Sequence, residues 1–238
     1  MIFTSGFFAR RLAPDHVLAQ GQLLYAFVPG KDGVLVKSRR DAGDDRAVEL
    51  LHDLRGRLVV CGAGKSGLLA QRMAATLTAT GTAASFLHPS DALHGDLGMV
   101  RSDDIVFAVS NSGTTEEILR LVEVLRRQGI RLVAITSQPD SPLARAADIH
   151  LDVGVRKEAC PLNLAPTAST TAALAMGDAM SMALLERRGF TVEDFAVLHP
   201  GGRIGKKLLR VEDLMHTGDA IPRVRPDTIM KDVLFEMT

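Results

Sequence analysis

The sequence predicts an open α/β fold, a three-layer sandwich with a five-stranded parallel sheet flanked by helices. Three observations lead there. Short apolar runs recur between residues 58 and 153, helical patterns separate them, and polar glycine-containing turns follow two of the runs. Short runs separated by helices are what a parallel sheet covered on both faces requires.

The N-terminal 45 residues read as a helical segment and linker. A helix is expected over Asp15–Phe27, followed by a polar, glycine-containing stretch from Pro29 to Asp45. The aromatics Phe3, Phe7, Phe8, Tyr25 and Phe27 lie outside the alternating pattern, which suggests packing on another surface such as a second subunit. Residues 46–209 carry the α/β domain. Its expected strands are Leu58–Cys61, Ala84–Leu87, Ile105–Val109, Leu132–Thr136 and Ile149–Val153. Leu69, Met73 and Leu77 share one helical face, as do Ile118, Leu121, Val122 and Leu125. A long helix should run from Thr167 to Arg187 and stop at Gly189. Residues 210–238 begin a new pattern, with an extended Ile221–Val224 and a helix from Thr228. A unit of under about 30 residues cannot bury a core of its own, so this reads as the incomplete start of a second domain.

Composition narrows the function. The 238 residues hold 28 Lys+Arg against 28 Asp+Glu, a formal charge of zero, so neither nucleic acid nor an anionic membrane is an expected partner. With 46% hydrophobic and 24% charged residues, wholesale disorder is excluded. Cys61 and Cys160 are too few for a disulfide scaffold and fit a reducing compartment. At the start of the chain the basic pair follows the apolar residues, the reverse of a secretory signal. The uncharged part of Met73–Ser90 and the stretch Ala159–Gly177 are both interrupted by Gly, Pro, Thr or Ser, so neither reads as a membrane span. A cytoplasmic protein is expected.

The strand Leu58–Cys61 runs into Gly62-Ala63-Gly64-Lys65-Ser66-Gly67 and then a helix, which offers free N–H groups to an anion. A nucleotide-binding P-loop would need glycine at position 59, where Val59 stands. A dinucleotide fingerprint would need an acid after the second strand, which ends Phe86-Leu87-His88-Pro89 without one. A loop for a simpler phosphate remains, with Lys65 at its lip. The bland alternative is a tight turn with a solvated lysine.

The third strand ends in Ser110-Asn111-Ser112-Gly113-Thr114-Thr115, then Glu116-Glu117 opens a helix. These groups supply neutral donors for a phosphate at a helix N-terminus, on the same sheet edge as the first loop. Thr114 and Glu117 also have the spacing of a capping box, which would give Glu117 a purely structural role. Beyond the last strand, Glu158 is the only acid before a long uncharged loop. Burial there would raise its pKa and suit it to proton transfer near neutrality, unless it is an exposed partner of Lys157. His94 and His199 lie in glycine-flanked loops, whereas His16, His52, His150 and His216 sit in ordinary settings. A metal site of His88, His94 and Cys160 would match no standard spacing. No metal is expected.

In order along the chain stand Gly62-Ala63-Gly64-Lys65-Ser66-Gly67, His94-Gly95-Asp96-Leu97-Gly98-Met99, Ser110-Asn111-Ser112-Gly113, Lys157-Glu158-Ala159-Cys160-Pro161-Leu162, Leu164-Ala165-Pro166-Thr167 and His199-Pro200-Gly201-Gly202. Over roughly 46–238 this resembles the arabinose-5-phosphate isomerases, sugar-isomerase (SIS) domain proteins that carry paired cystathionine-β-synthase-type (CBS) modules behind the catalytic domain. Val211-Glu212-Asp213-Leu214-Met215 resembles the opening of the first module. The resemblance implies interconversion of D-ribulose 5-phosphate and D-arabinose 5-phosphate, feeding Kdo and lipopolysaccharide synthesis. It also implies a homotetramer, with His199 supplied by a neighbouring subunit. The implied catalytic set is Lys65, Glu117, Glu158 and His199. The implied substrate and phosphate contacts are Ser66, His94, Ser110, Asn111, Ser112 and Thr115. Pro29–Asp45 departs from the family's helical lead-in.

The chemistry would proceed through an enediolate, with Glu158 or Glu117 as the carbon base, Lys65 polarising the oxygens and no cofactor. A non-catalytic sugar-phosphate-sensing SIS domain would keep the serine loops but have no need for Glu158 or His199. An isomerase for another phosphosugar is the nearer alternative.

Overall fold

The computed structural model describes residues 25–28, 34–37, 42–201 and 211–236, which fall into two units within Met1–Phe190 and Thr191–Thr238. In the first unit, Tyr25–Val28 (β1) and Val34–Lys37 (β2) pair as antiparallel strands with Val28 opposite Val34. The helix expected over Asp15–Phe27 therefore gives way to a strand from Tyr25, and residues 15–24 lie outside the described part, as do Phe3, Phe7 and Phe8. Tyr-Ala-Phe-Val and Val-Leu-Val-Lys favour strands. The polar stretch ending at Asp45 is also shorter than expected, because a helix, α1 (Ala42–His52), starts inside it.

The remaining elements alternate: β3 (Leu58–Gly62), α2 (Gly64–Ala79), β4 (Ala84–Leu87), α3 (Pro89–Leu93), β5 (Ile105–Val109), α4 (Glu116–Arg127), β6 (Arg131–Thr136), α5 (Pro142–Ala146), β7 (Ile149–Asp152) and α6 (Ala168–Arg187). The strands form one all-parallel sheet in the order β4-β3-β5-β6-β7.

Alternation along the strands builds the two cores. Leu58, Val60, Ile105, Phe107, Val109, Val133 and Ile135 face α1, α2 and α6, whereas Val59, Cys61, Val106, Ala108, Leu132 and Ala134 face Ile118, Leu121, Val122 and Leu125 of α4. Both strand faces are buried, which is why these segments read as unbroken apolar runs. The helices α2 and α6 approach closely: a Cβ on Gly177 would lie 2.5 Å from Met73 Cγ. No described helix is long and apolar enough to cross a membrane.

The second unit contains α7 (Val192–Leu198), α8 (Val211–Leu214) and α9 (Met230–Glu236). Thr191 and Asp194 form a reciprocal capping box that starts α7. The helix expected from Thr228 begins two residues later, and 221–224 carries neither helix nor strand.

Candidate active site

The sheet order reverses at β3, where the chain runs first outward to β4 and then back to β5. Ligands of open α/β sheets bind outside the carboxyl ends of the strands at such a switch point. Gly62 is the register partner of Val109, so the Gly62–Gly67 loop and the Ser110–Thr115 loop leave the sheet from neighbouring positions.

The first loop is tight. A Cβ on Gly62 would lie 2.6 Å from Ser66 O, and one on Gly67 would lie 2.8 Å from Gly62 O, so both positions need glycine for space. Ala63 starts α2 without any side-chain cap, and no acid occupies the first turn. The amides there are left for an anion. Lys65 is exposed and Ser66 half-buried, and neither meets a hydrogen-bond or ion-pair partner among the described residues.

The second loop is braced from within. The buried Ser110 Oγ accepts from Gly113 N at 3.1 Å and lies 2.8 Å from Thr115 Oγ1. Exposed Ser112 Oγ accepts from Thr114 N at 3.3 Å and from Thr114 Oγ1 at 2.9 Å, leaving its own proton free. Of the Ser110–Thr115 pair, one hydroxyl donates to the other, so one proton remains for a ligand. Asn111 is held from the next strand's loop, its O and Oδ1 both 2.7 Å from Ser137 Oγ. The capping box expected of Thr114 and Glu117 does not form. Thr115 is the cap residue of α4, and no side chain caps that helix because the Thr115 hydroxyl turns to Ser110 instead. Glu117 is exposed in the first turn without a partner among the described residues, whereas Glu116 pairs with Arg120.

Glu158 differs from expectation. Its Oε2 accepts from Thr167 N at 2.7 Å, Thr167 Oγ1 at 3.0 Å and Ser169 N at 3.2 Å, and its Oε1 accepts from Ser169 Oγ. Partial burial pushes its pKa up. The Ser169 hydroxyl, the Thr167 and Ser169 amides and the Thr167 hydroxyl outweigh that effect and hold it down at about 2. The predicted rise toward neutrality is thus reversed, because the carboxylate sits against the opening turn of α6 rather than in an apolar pocket. It is not an ion-pair partner of Lys157 either. The loop returning to it is ordered by Glu158 N donating to Asn163 Oδ1 at 2.7 Å and by Ala159 N donating to Thr167 Oγ1 at 2.9 Å.

His94 is exposed at the end of α3, beyond β4. His88 Nδ1 accepts from Ser90 N at 3.3 Å, and no three His, Cys, Asp or Glu residues among those described converge as a metal site. In the second unit, His199 Nδ1 donates to Phe195 O at 2.8 Å and the ring stacks on Phe195 with centroids 3.9 Å apart. A carbonyl only accepts, so this bond fixes the proton on Nδ1 and leaves Nε2 as the acceptor.

Residues 50–183 match the family described as SIS domain. The chain belongs to that family. The chain is 54% identical over 199 residues to the arabinose 5-phosphate isomerase KdsD of Pseudomonas aeruginosa, covering 82% of this chain and 61% of that protein. KdsD of Escherichia coli K12 is 56% identical over 193 residues, covering 81% and 59%. The chain thus spans about three-fifths of the length of these curated relatives. Among solved structures, the E. coli CFT073 protein c3406 in complex with arabinose 5-phosphate superposes with a TM-score of 0.65 at 42% identity, covering 67% of this chain and 85% of that one.

Four residues of the SIS domain that contact the predicted set escaped sequence reasoning: Ser137, Asn163, Thr167 and Ser169. For the last two a signal existed. The helix α6 opens with no acid in its first turn, so its amides needed an acceptor from elsewhere, and Glu158 was the nearest upstream.

Proposed function

We propose that this chain is an aldose–ketose isomerase interconverting D-ribulose 5-phosphate and D-arabinose 5-phosphate, working in the cytoplasm as a homotetramer that feeds lipopolysaccharide synthesis. The observation that carries the reading is the register pairing of Gly62 with Val109, which brings an uncapped helix start and a hydroxyl-lined turn to one rim. The high identity to the KdsD proteins supports the choice of substrate. On this reading Ser66, Ser110, Asn111, Ser112 and Thr115 hold the phosphate, and His94 completes the substrate contacts.

Isomerisation removes a proton from one of carbons 1 and 2 and returns it to the other, while a hydroxyl proton moves between the two oxygens. A carboxylate, Glu117 or Glu158, takes the carbon proton. Lys65 stabilises the enediolate oxygen, and the free Nε2 of His199, contributed by a neighbouring subunit, moves the hydroxyl proton. The apolar residues Leu174, Ala175 and Met182, left partly uncovered on α6, support the assembly. The residues from 210 onward form the opening of a CBS module.

The test is direct. Purified protein incubated with ribulose 5-phosphate yields arabinose 5-phosphate, detected by chromatography. Conversion of a hexulose phosphate in preference to the pentulose phosphate would reject the substrate assignment.

A further inference from the structure

Glu158 accepts four hydrogen bonds from a segment only nine to eleven residues ahead. Three end on Oε2, which is fully engaged, and one on Oε1, so both oxygens are tied to the same segment. All four donors come from Thr167 and Ser169, where α6 begins. The Thr167 hydroxyl serves twice, since it also accepts from Ala159 N. No ion pair to a described residue reaches the carboxylate. Such a group is a fixed acceptor. A carbon base, by contrast, needs a carboxylate free to turn toward the carbon proton. Glu117 is free to do so, being exposed in the first turn of α4 without a partner among the described residues.

We propose that Thr167 and Ser169 are positioning residues that clamp Glu158 as a permanent acceptor at the start of α6, leaving the carbon proton to Glu117. The proposal rests on the isomerase reading, but the clamp can be tested without activity.

In carbon-13 spectra of protein labelled at the glutamate carboxyls, with the Glu158 signal assigned by Glu158→Gln, that signal titrates below every other glutamate in the wild type. It moves up by about one pH unit or more, a tenfold change in proton affinity, in Ser169→Ala. Kinetically, Ser169→Ala lowers kcat at least about tenfold with KM for arabinose 5-phosphate held, and Ser169→Thr restores it. Glu117→Gln slows exchange of the carbon-2 proton with deuterated water at least tenfold more than Glu158→Gln does.

Titration of Glu158 together with the other glutamates in the wild type overturns the clamp. A wild-type kcat in Ser169→Ala overturns the positioning role, and the reverse order of exchange rates overturns the assignment to Glu117. Should Ser169→Ala fail to fold, Thr167→Val carries the same titration and kinetics. Absence of any isomerisation by the wild type rejects the isomerase reading while the titration still judges the clamp.

Discussion

Ser110 Oγ lies 2.8 Å from Thr115 Oγ1, a hydroxyl pair that closes the turn between β5 and α4. That bond withdraws Thr115 from capping the helix and leaves one proton of the pair available to a ligand. The amides at the helix start stay uncapped by any side chain. The turn is therefore rigid and still able to donate.

Ser112 is the exposed donor of this turn, and its role in anion binding should appear in KM. Ser112→Ala raises KM for arabinose 5-phosphate about tenfold or more while kcat changes little, because a hydrogen bond to a charged oxygen contributes about 1.5–3 kcal/mol. Steady-state kinetics read this, and an unchanged KM removes Ser112 from the phosphate site.

Gly67 tests the first loop. A methyl group there would sit 2.8 Å from Gly62 O, a backbone atom fixed in β3. Gly67→Ala should destabilise the protein by about 1–3 kcal/mol, the usual range for overpacking. A urea midpoint equal to the wild type's would contradict the close turn.

Glu158 sets a pH window for stability. Its folded pKa, about 2, lies below the ordinary 4.5, so its contribution is full above the ordinary value and disappears as pH falls toward 2. The stability difference between wild type and Glu158→Gln should be constant above about pH 5 and shrink between about pH 4 and 2. Denaturant melts at several pH values measure it; a difference that grows with acid would reverse the sign.

The two thiols should react unequally. Burial pushes Cys61 up to about 12, whereas the amides of Ala165, Leu164 and Leu162 hold the half-buried Cys160 below its usual range. Brief alkylation of the native protein should label Cys160 and spare Cys61, as peptide mapping would reveal.

The central strands β3 and β5 were legible in the sequence because both of their faces are buried, so no polar residue interrupts Ile105–Val109 or Leu58–Gly62. The end of the long helix was legible from Gly189, whose φ of 62° favours glycine. The strand at Tyr25 was missed because four residues give too little alternation to separate strand from helix end. The state of Glu158 was hidden for a different reason. Whether a carboxyl's pKa rises or falls depends on the donors around it, and here those lie nine to eleven residues away across a loop. The partner of Thr115 was hidden likewise: spacing offered Thr114 and Glu117 as a capping box, whereas the turn's shape makes Thr115 the cap residue and turns its hydroxyl to Ser110.

Because β3 and β5 are parallel neighbours, α2 and α4 begin at the same rim although they cover opposite faces of the sheet. Their macrodipoles therefore point positive ends at one spot, each equivalent to roughly half an elementary charge. A doubly ionised phosphate gains more from that convergence than a singly ionised one. In the proposed site, affinity for the sugar phosphate should accordingly weaken as the medium is acidified through about pH 6, where the ligand itself takes up a proton.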